Sequence, residues 1–270
     1  MNSLHSLPAA AALLLGVSLG STGAVAQSAA DVVDITVVPG WQTEDGTHMA
    51  GLRVTLQPGW KTYWRVPGDA GIPPDFRFDG SRNIASAALM WPRPDVFMTY
   101  GIETIGYATE VVLPIELSPR DAGAPMTLSA QASIGVCKDI CLPVELHVSG
   151  VIEPGAGLED LSIKAALGLV PGRLHGAQAR CAVDPIADGM RLTATLDVPS
   201  QGAQERVFVE PDNPAIWVSL ADVSRTGGQV RAEMDLVPPQ AKPFALDRSA
   251  LRFTIVGDSG AVEVMGCTAG

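Results

Sequence analysis

Along most of the chain, apolar and polar residues alternate in short runs that stop at Gly, Pro, Asn or Asp. A period of two is the signature of strands half buried in a sheet. In the first half it predicts strands over 31–38, 49–57, 60–66, 110–117, 126–136 and 142–151, with Pro58-Gly59 and Pro67-Gly68 as stops. The stretch 71–94 is rich in Pro, Gly and Asn, so it reads as loop with one strand near 87–91. Residues 153–157 have the composition of a linker. Leu158, Leu161, Ala165, Ala166 and Leu169 then recur near helical spacing until Pro171-Gly172, which predicts one short helix. Strands resume over 190–197, 206–210, 215–221, 229–236, 251–256 and 261–265, with Asp188-Gly189 and Gly227-Gly228 as hairpin turns. Many short strands and almost no helical period predict an all-β chain of two β-sandwich domains joined by a short helical linker.

Residues 1–26 stand apart. Met1 to Gln27 holds no Asp, Glu, Lys or Arg, 9–19 is mostly apolar, and Ala24-Val25-Ala26 has the form of a secretory cleavage site. The expected divisions are a signal peptide at 1–26, a first sandwich at 27–152, a linker with its helix at 153–172 and a second sandwich at 173–270. No later run approaches the ~18 uninterrupted apolar residues of a membrane span, so no membrane span is expected in the mature chain. The formal charge is -11 with a pI near 4.7. With no basic cluster, nucleic acid and anionic membrane surfaces are poor partners. Export implies an oxidising compartment, where four cysteines can form two bonds.

Spacing favours Cys137–Cys141 with Cys181–Cys267 among the three connectivities. In an extended strand, residues four apart lie roughly 13 Å apart, whereas a disulfide needs Cα atoms about 4.4–6.8 Å apart. The first pair therefore closes only if Lys138-Asp139-Ile140 turns as a tight hairpin loop, for which Asp is suited. So short a loop restrains an unfolded chain little, which leaves reversible redox chemistry or a metal as uses, beside a plain hairpin staple. Cys181 and Cys267 stand near the two ends of the second sandwich. Closing that long loop contributes roughly 4–5 kcal/mol, so they read as a structural disulfide.

Several motifs in order resemble one family. They are Gly59-Trp60-Lys61-Thr62-Tyr63-Trp64-Arg65-Val66-Pro67-Gly68, Trp91-Pro92, Tyr100-Gly101 with Ile105-Gly106-Tyr107, Leu113-Pro114, and Val136-Cys137-Lys138-Asp139-Ile140-Cys141-Leu142-Pro143. Over about 30–150 they resemble the amino-terminal, immunoglobulin-like periplasmic domain of the DsbD thiol–disulfide reductases. The likeness is closer to the ScsB-like branch, whose extra domain the second half matches loosely. The resemblance implies two immunoglobulin-like sandwiches and a redox relay in which a thioredoxin-like electron donor reduces this domain, which then reduces periplasmic disulfide-containing proteins. It makes Cys137 and Cys141 the redox pair, with Cys141 forming the mixed disulfide with the donor. It places a cap loop at 95–101, where Phe97, Met98 and Tyr100 would shield the sulfurs, and sets Tyr63 among the aromatics near them. No membrane or thioredoxin-like domain is recognisable, so the expected form is a stand-alone one whose donor is a separate protein.

Two other classes remain to be weighed. One is a non-catalytic binding module in which both disulfides are structural. The other is a copper-handling protein, suggested because ScsB-like systems are associated with copper tolerance; Cys137 and Cys141 with His147 would be its only ligand set. His48, His147 and His175 are scattered and no Met-x-x-Met cluster exists, so the expectation is no metal and no cofactor. No G-x-S-x-G elbow or H-E-x-x-H helix suggests a hydrolase.

Overall fold

The alternation read from the sequence becomes twenty strands and one α-helix in the computed structural model, which describes residues 31–99, 101–155 and 157–270. The expected leader at 1–26 and Tyr100 lie outside the described residues. The first ten strands are β1 (Val33–Gln42), β2 (His48–Leu56), β3 (Lys61–Tyr63), β4 (Asp75–Arg77), β5 (Ile84–Leu89), β6 (Asp95–Thr99), β7 (Ile102–Ala108), β8 (Glu110–Pro119), β9 (Met126–Cys137) and β10 (Cys141–Ile152). They form a four-stranded sheet, β1-β2-β8-β5, and a six-stranded sheet, β10-β9-β3-β7-β6 with β4 also paired to β9. The facing rows interdigitate as expected of an aligned sandwich: Leu52, Val54, Leu113 and Ile115 from one sheet, Ile105, Leu128, Ile134 and Val136 from the other.

Helix α1 (Leu161–Leu167) follows. Asp160 caps it, its carboxylate accepting from the Ser162 and Ile163 N–H groups. The helix is shorter than the apolar spacing predicts, and a different face is buried. Leu158 and Leu161 are exposed, while Ile163 and Ala166 dock on Val38, Met49 and Val112 at the outer side of the four-stranded sheet. Over two turns, spacing alone cannot say which stripe meets a neighbour; the apolar outer surface of β1, β2 and β8 decides it.

The remaining strands are β11 (Gly172–Arg173), β12 (Ala179–Pro185), β13 (Met190–Asp197), β14 (Arg206–Glu210), β15 (Trp217–Val218), β16 (Asp222–Thr226), β17 (Gln229–Val237), β18 (Arg252–Val256), β19 (Ala261–Met265) and β20 (Thr268–Ala269). They again make one four-stranded sheet, β11-β19-β18-β14, and one six-stranded sheet, β15-β17-β13-β12-β20 with β16 on β17. The chain is thus all-β, with two immunoglobulin-like sandwiches and one short helix. Leu192, Ala194 and Leu196 face Met234, Ala232 and Val230 in register, so the period of two fills one core.

The two sandwiches touch. Phe208 and Val256 belong to the first sandwich's hydrophobic cluster, and Phe208 meets Trp64 edge-on at 5.1 Å between ring centres. Arg65 donates to both carboxylate oxygens of Glu210 (3.0 and 2.9 Å) and to Thr254 Oγ1 (3.0 Å), and also reaches Glu263. Pairing and hydrogen bonding of this kind are what a largely buried guanidinium requires.

Candidate exchange site

β9 and β10 are one long hairpin. Its last cross-strand pair is Cys137 opposite Cys141, and the Lys138 N–H donates to Ile140 O at 3.1 Å to close the loop. The two Cα atoms lie 4.2 Å apart and the sulfurs are bonded. The turn required by the spacing is therefore present. Lys138, Asp139, Ile140 and Cys141 are exposed, and Cys137 is half-buried.

The pleat decides what shares this face. Lys61 pairs with Cys137 on one side and with Ala108 on the other, Tyr63 pairs with Gly106, and Phe97 pairs with Thr104. Alternation puts Lys61, Tyr63, Thr104, Phe97 and both cysteines on the outer side of the six-stranded sheet, while Thr62 and Trp64 turn inward. The Tyr63 ring lies in a slot lined by Gly71 and Gly135. A Cβ at either would come within 2.9 Å of the ring, so both positions have to lack one. That slot brings the Tyr63 hydroxyl to 2.6 Å from Cys137 Sγ and 3.3 Å from Cys141 Sγ. Disulfide sulfurs carry no proton, so the hydroxyl is the donor. Burial raises the Tyr63 pKa, which keeps that proton on the oxygen at neutral pH.

Beside the disulfide is a cavity of about 170 Å³, lined by Lys61, Tyr63, Phe97, Ile102, Cys137 and Cys141 among others. Lys61 Nζ sits 4.4 Å above the Phe97 ring. Residues 95–101, expected as a loop, instead run through an antiparallel hairpin, β6 and β7, with Gly101 in its turn at φ +80°. Pro94 and Gly101 bracket this segment and suggested a loop. Within the bracket, however, the β-branched and aromatic residues Val96, Phe97, Thr99, Ile102 and Thr104 favour pairing. Phe97 reaches the cavity. Met98 is 64% exposed and does not line it. Ile102, which lines the cavity, and Ile140, in the loop between the cysteines, are also exposed, so apolar side chains border the disulfide; Val96 and Met98 lie on the opposite face of β6 from Phe97. Sequence reading did not single out Lys61 or Ile102 for the site; only the strand register brings them there.

The other expected residues lie elsewhere. Cys181 and Cys267 are bonded, with a sequence separation of 86, and Cys181 is 1% exposed in the second core. His147 pairs with Gln131, six residues along β10 from Cys141. At the rise of an extended strand that is roughly 20 Å, so the ligand set Cys137, Cys141 and His147 is not assembled.

The site is thus a disulfide at the accessible tip of an immunoglobulin-like sandwich, with a hydroxyl aimed at its sulfurs, and the class it fits is that of the thiol–disulfide interchange domains. Residues 33–152, the first sandwich, match the family described as "Thiol:disulfide interchange protein DsbD, N-terminal", and this part of the chain belongs to that family. Nearly the whole chain shares its fold with the N-terminal periplasmic domain of ScsB from Proteus mirabilis. The two are 22% identical, the match covers 89% of this chain and 95% of that one, and the TM-score is 0.68. No curated protein matches the chain in sequence. Among the described residues no helix is long and apolar enough to cross a membrane.

Proposed function

We propose that this chain is a periplasmic thiol–disulfide exchange protein, exported by a leader at 1–26. In this reading it relays electrons from a thioredoxin-like donor to exported disulfide proteins, and Cys137 and Cys141 are the catalytic pair. This reading keeps the divisions expected from the sequence: sandwiches at 27–152 and 173–270 and a linker at 153–172. One observation carries the reading: Cys141 is exposed while the Cys137 sulfur, half-buried, accepts a hydrogen bond from Tyr63.

That asymmetry assigns the two sulfurs different jobs. A donor thiolate attacks Cys141 Sγ, the Cys137–Cys141 bond breaks, and Cys137 leaves as a thiolate that the Tyr63 O–H stabilises. Rates of exchange depend on how well the leaving thiolate is accommodated, and hydrogen bonding to a thiolate lowers its pKa. The donor's second thiolate then attacks its own sulfur in the mixed disulfide and frees Cys141. Two electrons and two protons reach this chain, and the donor becomes the disulfide. Reaction with an oxidised acceptor runs the same steps in reverse. Phe97 screens the sulfurs from across the cavity.

The reading is tested by the reduction potential of the Cys137–Cys141 bond and by trapping. A potential near the roughly -200 mV range of exchange proteins is expected; one below about -300 mV marks an inert staple. In periplasmic extract, Cys137→Ala, which keeps Cys141, is expected to capture a thioredoxin-fold protein as a mixed disulfide. No adduct from either Cys137→Ala or Cys141→Ala would overturn the relay.

A further inference from the structure

The second sandwich has no part in the chemistry above, yet it grips the hairpin that borders the disulfide. β6 is the edge of its sheet, and β7 pairs with β3 only at Gly106, Tyr107 and Ala108 among the described residues. The last tie to the first sandwich's own loops is the Ile105 N–H to Pro67 O at 3.0 Å. Among the described residues from Val96 to Thr104, the two strands pair with each other and with no other strand. Phe97, the residue facing the cavity, lies within this overhang.

One cross-sandwich tie holds the overhang, and a second holds the chain that leads into β6. Arg206 grips Glu103 as a fork, Nε to both carboxylate oxygens at 3.0 and 3.1 Å and Nη2 to one at 2.9 Å. Glu103 sits opposite Met98, one pair from Phe97, and its side chain is only 13% exposed. Just before β6, Arg93 Nη1 donates to Gly257 O at 2.9 Å and Asp258 O at 2.7 Å. Both ties start from one end of one sheet, because Arg206 pairs directly with Val256, the residue before Gly257. The two grips therefore stand side by side at one end of that sheet, Arg206 in β14 and the Gly257 and Asp258 carbonyls in the turn after β18.

We propose that the second sandwich is a clamp on the exchange site, with Glu103 and Arg206 as positioning residues that keep the β6–β7 hairpin closed beside Cys137 and Cys141. The inference rests on the reading that this hairpin screens the disulfide. A bidentate Arg–carboxylate pair is the strong form of ion pair, and its position beyond the last strand pairing lets it set how often the overhang lifts. A protein thiol needs more room at Cys141 than a small one, so release of the clamp acts mainly on protein partners.

The test uses the full chain, oxidised, with two probes: reduced thioredoxin and dithiothreitol. Either probe attacks Cys141 Sγ, expels Cys137 and is itself oxidised to a disulfide. Glu103→Gln and Arg206→Gln are each expected to speed reduction by thioredoxin roughly fivefold to tenfold, the scale of a well-formed but partly exposed ion pair, and to move the dithiothreitol rate less than twofold. Backbone amides of 96–104 should exchange hydrogen faster in both variants. Restoring the pair in reverse, Glu103→Arg with Arg206→Glu, should return the thioredoxin rate towards the native one. Glu210→Gln, which loosens the Arg65 contact without touching the hairpin, should change neither rate. Phe97→Ala separates the two ideas. If it speeds thioredoxin while Glu103→Gln does not, the clamp is wrong and the screening role stands. If neither variant changes the rate, screening fails and the clamp with it. An equal acceleration in Glu210→Gln would also overturn the clamp, since any loosening of the sandwich contact would then do the same.

Discussion

The chain carries two disulfides that differ in nearly every respect. Cys137–Cys141 closes a three-residue loop at a hairpin tip, with Cys141 exposed and a tyrosine hydroxyl directed at both sulfurs. Cys181–Cys267 spans 86 positions, joins the region of β12 to that of β20, and sets Cys181 in the second core. The first is reachable and restrains little; the second restrains much and cannot be reached from the Cys181 side. Sulfur chemistry is the same in both, so loop length, access and the neighbouring proton donor make the difference.

Removing each bond in turn breaks the comparison most directly. Cys181→Ala with Cys267→Ala should lower the unfolding free energy by about 4–5 kcal/mol in denaturant titrations, with thioredoxin-driven exchange retained. Cys137→Ala with Cys141→Ala should cost roughly 2 kcal/mol by the same chain-entropy argument and abolish exchange. If both pairs cost the same and neither affects exchange, the contrast has no functional meaning.

Graded reduction sharpens it next. Under mild dithiothreitol at neutral pH, mapping of alkylated peptides should find Cys137 and Cys141 modified about a hundredfold sooner than Cys181 and Cys267, because exchange needs access to a sulfur. Simultaneous modification would show that burial does not protect the second bond.

The neighbouring hydroxyl makes a smaller contribution. Tyr63→Phe should slow reaction with a thioredoxin-fold donor about tenfold and raise the Cys137 thiol pKa in the reduced protein. The sign follows from the donor role: the O–H favours the thiolate, so its loss disfavours the charged form. Burial raises the Tyr63 pKa, so the hydroxyl keeps its proton where the thiols titrate. The pH profile for the reduced variant reacting with an oxidised acceptor should therefore move to higher pH without losing an inflection. An unchanged thiol pKa would remove Tyr63 from the mechanism. Smallest is Lys61→Met, which takes the ammonium from the Phe97 ring. A cation–π contact of about 0.5–1 kcal/mol corresponds to a two- to fivefold change in exchange rate, and stopped-flow fluorescence would resolve it.

Much of this arrangement was legible in one dimension. Alternation located β13, β14 and β19 to the residue, and the two-residue turn at Gly227-Gly228 joins Thr226 to Gln229 as expected. Both disulfides follow the predicted pairing. Other elements were not readable. β12 and β16 were missed because Ala179–Pro185 and Asp222–Thr226 alternate weakly and carry charge. The predicted strand over 60–66 shortens to Lys61–Tyr63, after which Trp64 and Pro67 bond to Ile105 outside a regular ladder. The stripe assigned to the helix was the wrong one, since Leu161 is exposed and Ile163 buried.

By itself the sequence determined the class of fold, the turn at Lys138-Asp139-Ile140 and the partnership of the cysteines, because period, turn chemistry and chain reach are local properties. Tertiary structure alone decided what stands around the sulfurs. Tyr63, 74 positions from Cys137, reaches it through strand register and a slot between two glycines, and Glu103 meets Arg206, 103 positions away, through the contact of two sandwiches. Such distances are set by how sheets pair and pack, and no local pattern records them.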